Sequence, residues 1–251
     1  MKHTLHLLLV LIIMSCSSDQ SDPIQETTIT IDFKHEWDGI PVTKTDFNTL
    51  KYTNAIGEQL SIERLRYLLS EFTLTSISGV SYSLEDYLLI DINENLNLSY
   101  NKTIKLPDGS YNLSFRFGFS DDQNVDGVYP DLNTASFDVP MMLGGGYHYM
   151  QFDGKYTSAT TTTPSGFNYH TIRAVNNIDP SKPIYKDTSF LVTLGEITVE
   201  NHALSLEVTM NIAEWFKNPN EWDLNVLNQM LMPNYEAQIL MSENGTSVFS
   251  L

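Results

Sequence analysis

The feature that most constrains the fold is a strict alternation of apolar and polar residues over residues 111–119. Bulky apolar side chains occupy the odd positions, and polar residues or glycine fill the even ones. Successive side chains of a β-strand point to opposite faces of a sheet, so this period of two predicts a strand with one buried face. The Pro-Asp-Gly run at residues 107–109 favours a turn directly before this strand. We interpret residues 111–119 as a central strand of a β-sandwich.

Other segments extend this pattern along the chain. Residues 28–37 alternate in the same way and place His35 on the apolar face. Residues 61–72 fit both periodicities, and we interpret them as a short helical turn followed by a strand. Further strands are predicted over residues 87–92, 146–152, 167–173, 189–199 and 203–210. Helical patterns come late, at residues 212–216, 222–232 and 235–241. The sequence therefore predicts an all-β fold, an antiparallel β-sandwich with short helices mainly near the C-terminus.

The N-terminal residues resemble a bacterial export signal. A lysine at position 2 precedes an apolar run over residues 7–14, which is far shorter than the roughly 20 residues that span a bilayer. Ile-Met-Ser before Cys16 resembles a lipobox, in which the cysteine thiol receives a diacylglycerol; an ordinary signal peptide cut nearby is the alternative. We expect a lipoprotein signal peptide over residues 1–15, a flexible tether over residues 16–26 and one β-sandwich domain over residues 27–251.

Charge and cysteine content exclude several classes of function. The formal net charge is −17, with 31 acidic residues against 14 basic ones. Such an excess of acid repels phosphate backbones, so nucleic acid is not expected as a partner. Cys16 is the only cysteine, so the chain can form neither an internal disulfide nor a thiolate metal cluster. The expected partner is a membrane, which the protein contacts through its N-terminal lipid. We expect it in the cell envelope, either in the periplasm or at the outer-membrane surface. The sequence does not identify a protein partner.

Three histidines are candidate metal ligands. Neutral imidazole is the commonest protein ligand of copper and zinc. If the strands predicted over residues 146–152 and 167–173 pair antiparallel, His148 and His170 approach one another. We therefore predict a metal site formed by His35, His148 and His170. Taken singly, a histidine that faces a core is more often a hydrogen-bonded structural residue, and it is the shared neighbourhood of the three that favours a metal site.

Methionines and glycines lie close to this segment. Thioether sulfur suits Cu(I), but methionine also fills gaps in protein cores. The alternation over residues 146–152 puts Met150 on the same face as His148, and we interpret Met150 as a core residue. Met141 and Met142 precede a triple glycine that lacks the features of a phosphate loop. These glycines instead indicate a close approach of two backbones.

An acidic run resembles the first half of a calcium loop. Asp122, Asn124 and Asp126 alternate and are followed by a glycine at the sixth position. The acidic residue expected at the twelfth position is absent, although Asp131 lies two residues before it. Calcium is therefore a second candidate cofactor, and a solvated acidic turn is the alternative.

Catalytic signatures are absent from the sequence. It contains no Gly-x-Ser-x-Gly and no His-Glu-x-x-His motif. We therefore expect a binding protein and not an enzyme. An alternative function is a surface module that recognises a glycan or a protein through exposed aromatic rings of Tyr147, Tyr149 and Tyr169.

The order of several short motifs resembles the MbnP-like copper-binding proteins. The resemblance covers most of the expected mature chain, residues 16–251, and rests on motifs that are individually weak but occur in a moderately specific order. They are Phe33-x-His35, Ile62-x-x-Leu65-x-Tyr67-x-x-Ser70, Gly109-x-Tyr111, Phe117-x-Phe119-Ser120-Asp121, Gly146-Tyr147 with Gly154, and Phe167-x-Tyr169-His170.

The resemblance implies a secreted β-sandwich from a Gram-negative bacterium, with a copper site built from histidines and a role in copper uptake or handling. In some members a tryptophan oxidised to kynurenine completes the site, within a tryptophan-rich segment before the Gly-Tyr pair. The matching segment here, residues 140–144, contains no tryptophan. We do not transfer the modification to Trp37, which lies two residues from His35.

Overall fold

The computed structural model describes residues 25–179 and 181–251. The predicted signal peptide, Cys16 and most of the predicted tether lie outside these residues. Among the described residues, no helix is long and apolar enough to cross a membrane.

Strands make up most of the ordered structure. They are β1 (Glu26–Trp37), β2 (Ile40–Pro41), β3 (Tyr52–Thr53), β4 (Gln59–Leu60), β5 (Arg64–Ser76), β6 (Ser81–Asp91), β7 (Ser99–Lys105), β8 (Gly109–Phe117), β9 (Met150–Ser158), β10 (Thr161–Thr171), β11 (Ala174–Asn176), β12 (Ile184–Lys186), β13 (Phe190–Val199), β14 (Ala203–Asn211) and β15 (Phe249–Ser250). The α-helices are α1 (Pro130–Thr134) and α2 (Tyr235–Gly245), and 3-10 turns cover Lys44–Asp46, Met141–Leu143 and Ile212–Phe216.

Two sheets form the body of the fold. The first has the order β15-β14-β1-β2, with β7 also paired to β1, and the second has the order β13-β8-β5-β9-β4-β3, with β10 on β9 and β6 on β5. One edge of β5 pairs with two strands in succession, because Arg64–Tyr67 meets β9 and the rest of the strand meets β8. Apolar residues of both sheets belong to one continuous buried core. The all-β sandwich prediction is therefore confirmed.

The sheets are not antiparallel throughout. β1 pairs with β14 in parallel, from Thr28 opposite Ala203 to Glu36 opposite Asn211. Parallel neighbours need a long crossover, and here almost the whole domain lies between the two strands. The pairing joins the first long strand to one near the end of the chain.

The predicted helices are partly right. Residues 212–216 form a 3-10 turn, and the predicted helical turn at residues 235–241 lies within α2. The helix predicted over residues 222–232 is wrong, because the carboxylate of Glu58 accepts a hydrogen bond from the Leu224 amide and another from the Asn225 side chain. The helical turn predicted at the start of residues 61–72 is also wrong. The amides of Ser61 and Glu63 donate instead to carbonyls of β9.

Candidate metal site

His148 and His170 lie in contact on one face of the second sheet. His170 belongs to β10 and lies opposite Gln151 of β9, and His148 lies just before β9 begins. The two imidazole ring centroids are 5.3 Å apart, with an interplanar angle of 83°. The sequence-based expectation that antiparallel pairing brings these two histidines together therefore agrees with the structure.

His35 lies on the opposite face of that sheet. It is buried in the main core, where its Nε2 is 2.9 Å from the hydroxyl oxygen of Tyr67. Tyr67 is opposite Met150 on β9, whereas His170 is opposite the next residue, Gln151. Successive strand residues point to opposite faces, so the sheet separates His35 from the other two. The prediction that all three histidines meet is wrong for His35.

The alternation predicted across residues 146–152 is also broken. Tyr149 and Met150 are adjacent in sequence, and both are buried in the main core. β9 begins only at Met150, so the preceding residues do not follow its pleat. His148 consequently packs with His170 and Phe137 and does not share the face of Met150. The core interpretation of Met150 is confirmed by its complete burial.

The protonation pattern of His148 follows from its contacts. Its Nδ1 is 2.9 Å from the carbonyl oxygen of Phe137, so this nitrogen carries the proton and donates. Its Nε2 then carries a lone pair, is buried, and has no hydrogen-bond partner within the described part of the chain. Burial lowers the pKa of His148 to about 4, because the imidazolium form loses its hydration. His148 is therefore a neutral imidazole with an unused, inward-facing nitrogen at neutral pH.

His170 is oriented by a carboxylate. Its Nε2 is 2.8 Å from Oδ1 of Asp153, and in the neutral imidazole this nitrogen donates its proton and leaves the lone pair on Nδ1. Burial opposes ionisation of Asp153, but hydrogen bonds from His170 and Asn168 and the charge of Arg64 outweigh it and lower the pKa of Asp153 to about 2. A carboxylate behind a histidine is the common outer-shell arrangement at metal centres, where it fixes the ring and raises its basicity.

Around the two histidines, the described residues add no further histidine, cysteine or carboxylate placed to complete a metal site. The Arg66 guanidinium lies 5.3 Å from the centre of the Phe137 ring, and its Nε donates to Gln151. Within residues 25–179 and 181–251, no group of three or more His, Cys, Asp or Glu side chains is placed to hold a metal ion. The site therefore offers two imidazole nitrogens, and any further ligand has to be of another kind.

A methionine-lined cleft of about 500 Å³ adjoins His170. Its walls are formed by Met142, Leu143, Asn168, His170, Met230, Leu231, Met232 and Pro233. The sequence indicates Met142 as a candidate thioether ligand. It does not indicate Met230 or Met232, because nothing local in the sequence links them to residue 170. Met141 is also exposed but does not line the cleft.

Two members of the acidic run are hydrogen-bonded within the protein. The Asn124 side chain is buried, and its Oδ1 accepts a hydrogen bond from the Tyr147 amide at 2.8 Å. Asp131 accepts instead from the hydroxyl of Tyr87 at 2.6 Å. Asp122, Asp126 and Asp131 do not form a group placed to hold a metal ion within the described residues. Calcium binding by this segment stays a prediction, with a solvated acidic turn as the alternative.

The triple glycine fits against this loop. Gly146 has φ +76°, and a Cβ at this position would lie 2.3 Å from Oδ1 of Asn124. Only glycine adopts this backbone conformation freely and leaves room for the asparagine. The expected close approach of two chain segments is therefore present.

The three candidate recognition tyrosines are buried. Tyr147, Tyr149 and Tyr169 are each 0% exposed. Tyr149 and Tyr169 belong to the main core, and Tyr147 to a smaller cluster with Phe119 and Phe137. Rings without an exposed face cannot stack on a ligand, so the alternative of a recognition surface built from these tyrosines is wrong.

Comparison with known proteins places the chain in a family. The family model described as MbnP matches residues 26–234. Among solved structures, MbnP from Methylosinus trichosporium aligns with a TM-score of 0.52 and 13% identity, over 79% of this chain and 80% of that one. At this identity the structural likeness shows a shared fold. A comparison with curated proteins gives no match. Since the family match spans well over half of the sequence, the chain belongs to the MbnP family.

Proposed function

We propose that this protein is a copper-handling protein of the cell envelope that binds copper through His148 and His170 without catalysing a reaction. The observation that carries the proposal is the buried Nε2 of His148, which has no hydrogen-bond partner in the described structure and lies on a ring in contact with His170. An unsatisfied buried polar atom costs free energy. A metal ion that accepts the lone pair of this nitrogen would remove that cost.

The residues present fit a copper ion. Both histidines offer one unprotonated nitrogen, Nε2 of His148 and Nδ1 of His170, and the other nitrogen of each ring is held by an oxygen acceptor. Imidazole binds copper well, and a hydrogen bond to the other nitrogen of each ring holds both rings in place. Copper is the metal implied by the resemblance to the MbnP-like proteins. Trp37, Trp215 and Trp222 are buried in the main core, so we propose no kynurenine ligand.

We expect the untagged, metal-free protein to bind about one equivalent of copper and the double variant His148→Leu/His170→Leu to bind none. Leucine fills the space of the imidazole without offering a lone pair, and the Phe137 carbonyl keeps a donor, the His148 amide at 2.9 Å. Anaerobic titration with Cu(I) against a chromophoric chelator, repeated aerobically with Cu(II), measures the stoichiometry.

His35→Gln is the matched control, because it removes a histidine from the other face of the sheet and should leave the stoichiometry unchanged. Thermal unfolding of the metal-free variants verifies that they are folded. The proposal is wrong if the wild-type protein takes up no copper, or if the double variant takes up as much.

We further propose that Cys16 is lipidated and anchors the domain to a membrane. The lipobox-like residues before Cys16 and the polar residues after it support this. We expect wild-type protein from bacterial cells to partition into detergent and to be heavier than the polypeptide by the mass of the lipid, and Cys16→Ser to stay in the aqueous phase. Equal partitioning of the two proteins would contradict lipidation.

A further inference from the structure

The methionine-lined cleft beside His170 has an unusual composition for a protein surface. Met142 and Met230 are each 78% exposed, and Met232 is half-buried in the same cleft. Methionine is among the residues most often buried, and singly exposed apolar residues need no explanation. Three methionines around one histidine in a single cleft are a concentration of thioether sulfur next to an imidazole.

Both walls of the cleft are held in place by hydrogen bonds. On one side, Asn177 donates to the Met142 carbonyl at 2.8 Å. On the other, the Asn228 carbonyl accepts from the Asn168 amide at 2.8 Å, which ties the segment before Met230 to β10. Met230 itself has φ +57°, a conformation rare for a residue with a long side chain. The side chains are thus carried on fixed backbone and not on free loops.

A buried glutamine joins the cleft to the histidine strand. The amide nitrogen of the Gln238 side chain donates both to the His170 carbonyl, at 2.9 Å, and to the Leu231 carbonyl, at 3.0 Å. Leu231 lies between Met230 and Met232. A single side chain of α2, which is 1% exposed, therefore bridges the methionine segment and the backbone of His170.

We propose that this cleft is a thioether site for monovalent copper, in which sulfur atoms of Met142, Met230 and Met232 bind the same Cu(I) ion that Nδ1 of His170 holds. Thioethers are soft ligands that select Cu(I) over Zn²⁺ and other harder cations. Among the described residues, no His, Asp or Glu other than His170 lines the cleft, so a harder cation finds one imidazole there and no carboxylate. The inference rests on the proposed function, since it supplies the soft ligands that the histidine pair lacks, and no electron transfer is part of it.

The test replaces sulfur without changing side-chain volume. We expect Met142→Leu/Met230→Leu/Met232→Leu to bind Cu(I) at least about tenfold more weakly and to bind Zn²⁺ like the wild-type protein. Met150→Leu is the matched control, because Met150 is fully buried in the core, and its Cu(I) affinity should be unchanged. In protein labelled with ¹³C at the methionine methyl groups, Cu(I) or its redox-inert analogue Ag(I) should shift the resonances of the three cleft methionines and not that of Met150.

The outcomes separate this inference from the proposed function. Unshifted cleft resonances and an unchanged Cu(I) affinity in the triple variant, with copper uptake that still depends on His148 and His170, overturn the thioether site alone. No uptake of either copper ion by the wild-type protein overturns both. Shifts caused equally by Zn²⁺ overturn the selectivity that the thioether ligands predict.

Discussion

Replacing Gly154 by alanine should destabilise the metal-free protein by about 3 kcal/mol, which is large for the addition of one methyl group. Gly154 lies within β9, next to Asp153 and opposite Phe167 of β10. A Cβ at this position would lie 2.0 Å from the carbonyl oxygen of Ser61 and 2.7 Å from the Phe167 ring. The carbonyl belongs to the backbone and is held on both sides, because the amides of Ser61 and Glu63 donate to carbonyls of β9 at 2.8 Å each. Urea unfolding followed by tryptophan fluorescence measures the loss.

Gly166→Ala is the control for this prediction. Gly166 lies on β10, opposite Lys155, and its Cβ would come no closer than 3.8 Å to any atom outside its chain neighbours. Alanine at this position lowers the conformational entropy of the unfolded chain and creates no clash in the folded one. The free energy of unfolding should therefore stay within about 1 kcal/mol of the wild-type value. Equal stabilities of the two variants would show that the sheet can open at Ser61 and would contradict the close packing of Gly154 against the Ser61 carbonyl.

The strands could be predicted because their signal is local. Residues 28–37 and 111–119 alternate, and β1 and β8 cover nearly those ranges. The partners of the strands are not local: nothing in the alternation of β1 indicates that β14 lies beside it in parallel. The helix expected at residues 222–232 failed for the same kind of reason. Glu58, far away in sequence, binds the backbone at Leu224.

The part of the candidate site that lies on one β-hairpin could be predicted from the sequence. β9 and β10 follow each other and pair antiparallel, so the meeting of His148 and His170 could be anticipated from their positions. The position of His35 was wrong because the alternation of β1 shows only that His35 is on the apolar face of that strand. It does not show which side of the second sheet this face packs against. Met230 was missed because it reaches the site through hydrogen bonds between the segment before it and β10.

Acid should destabilise the protein in a way that depends on His35. Burial lowers the pKa of His35 to about 3 from an ordinary value of 6.5. As pH falls below 6.5, the unfolded chain takes up a proton at this residue, while the folded protein stays neutral until the pH reaches about 3. The stability contributed by neutral His35 is thus complete above pH 6.5 and is lost as pH falls through this window, at about 1.4 kcal/mol per pH unit. His148 titrates in the same direction, so the wild-type slope contains both groups.

The variant His35→Gln isolates this contribution, because glutamine can replace the hydrogen bond to Tyr67 but takes up no proton. Between pH 7 and pH 4 the wild-type protein should lose about 3 kcal/mol more free energy of unfolding than the variant. At neutral pH the variant is the less stable of the two, since the amide does not reproduce the edge-on contact with the Tyr67 ring, at 5.7 Å between ring centroids. Urea unfolding of both metal-free proteins in steps of one pH unit gives the two curves. Parallel curves would mean that His35 is protonated in the folded state as readily as in the unfolded chain, which its burial between the two sheets does not allow.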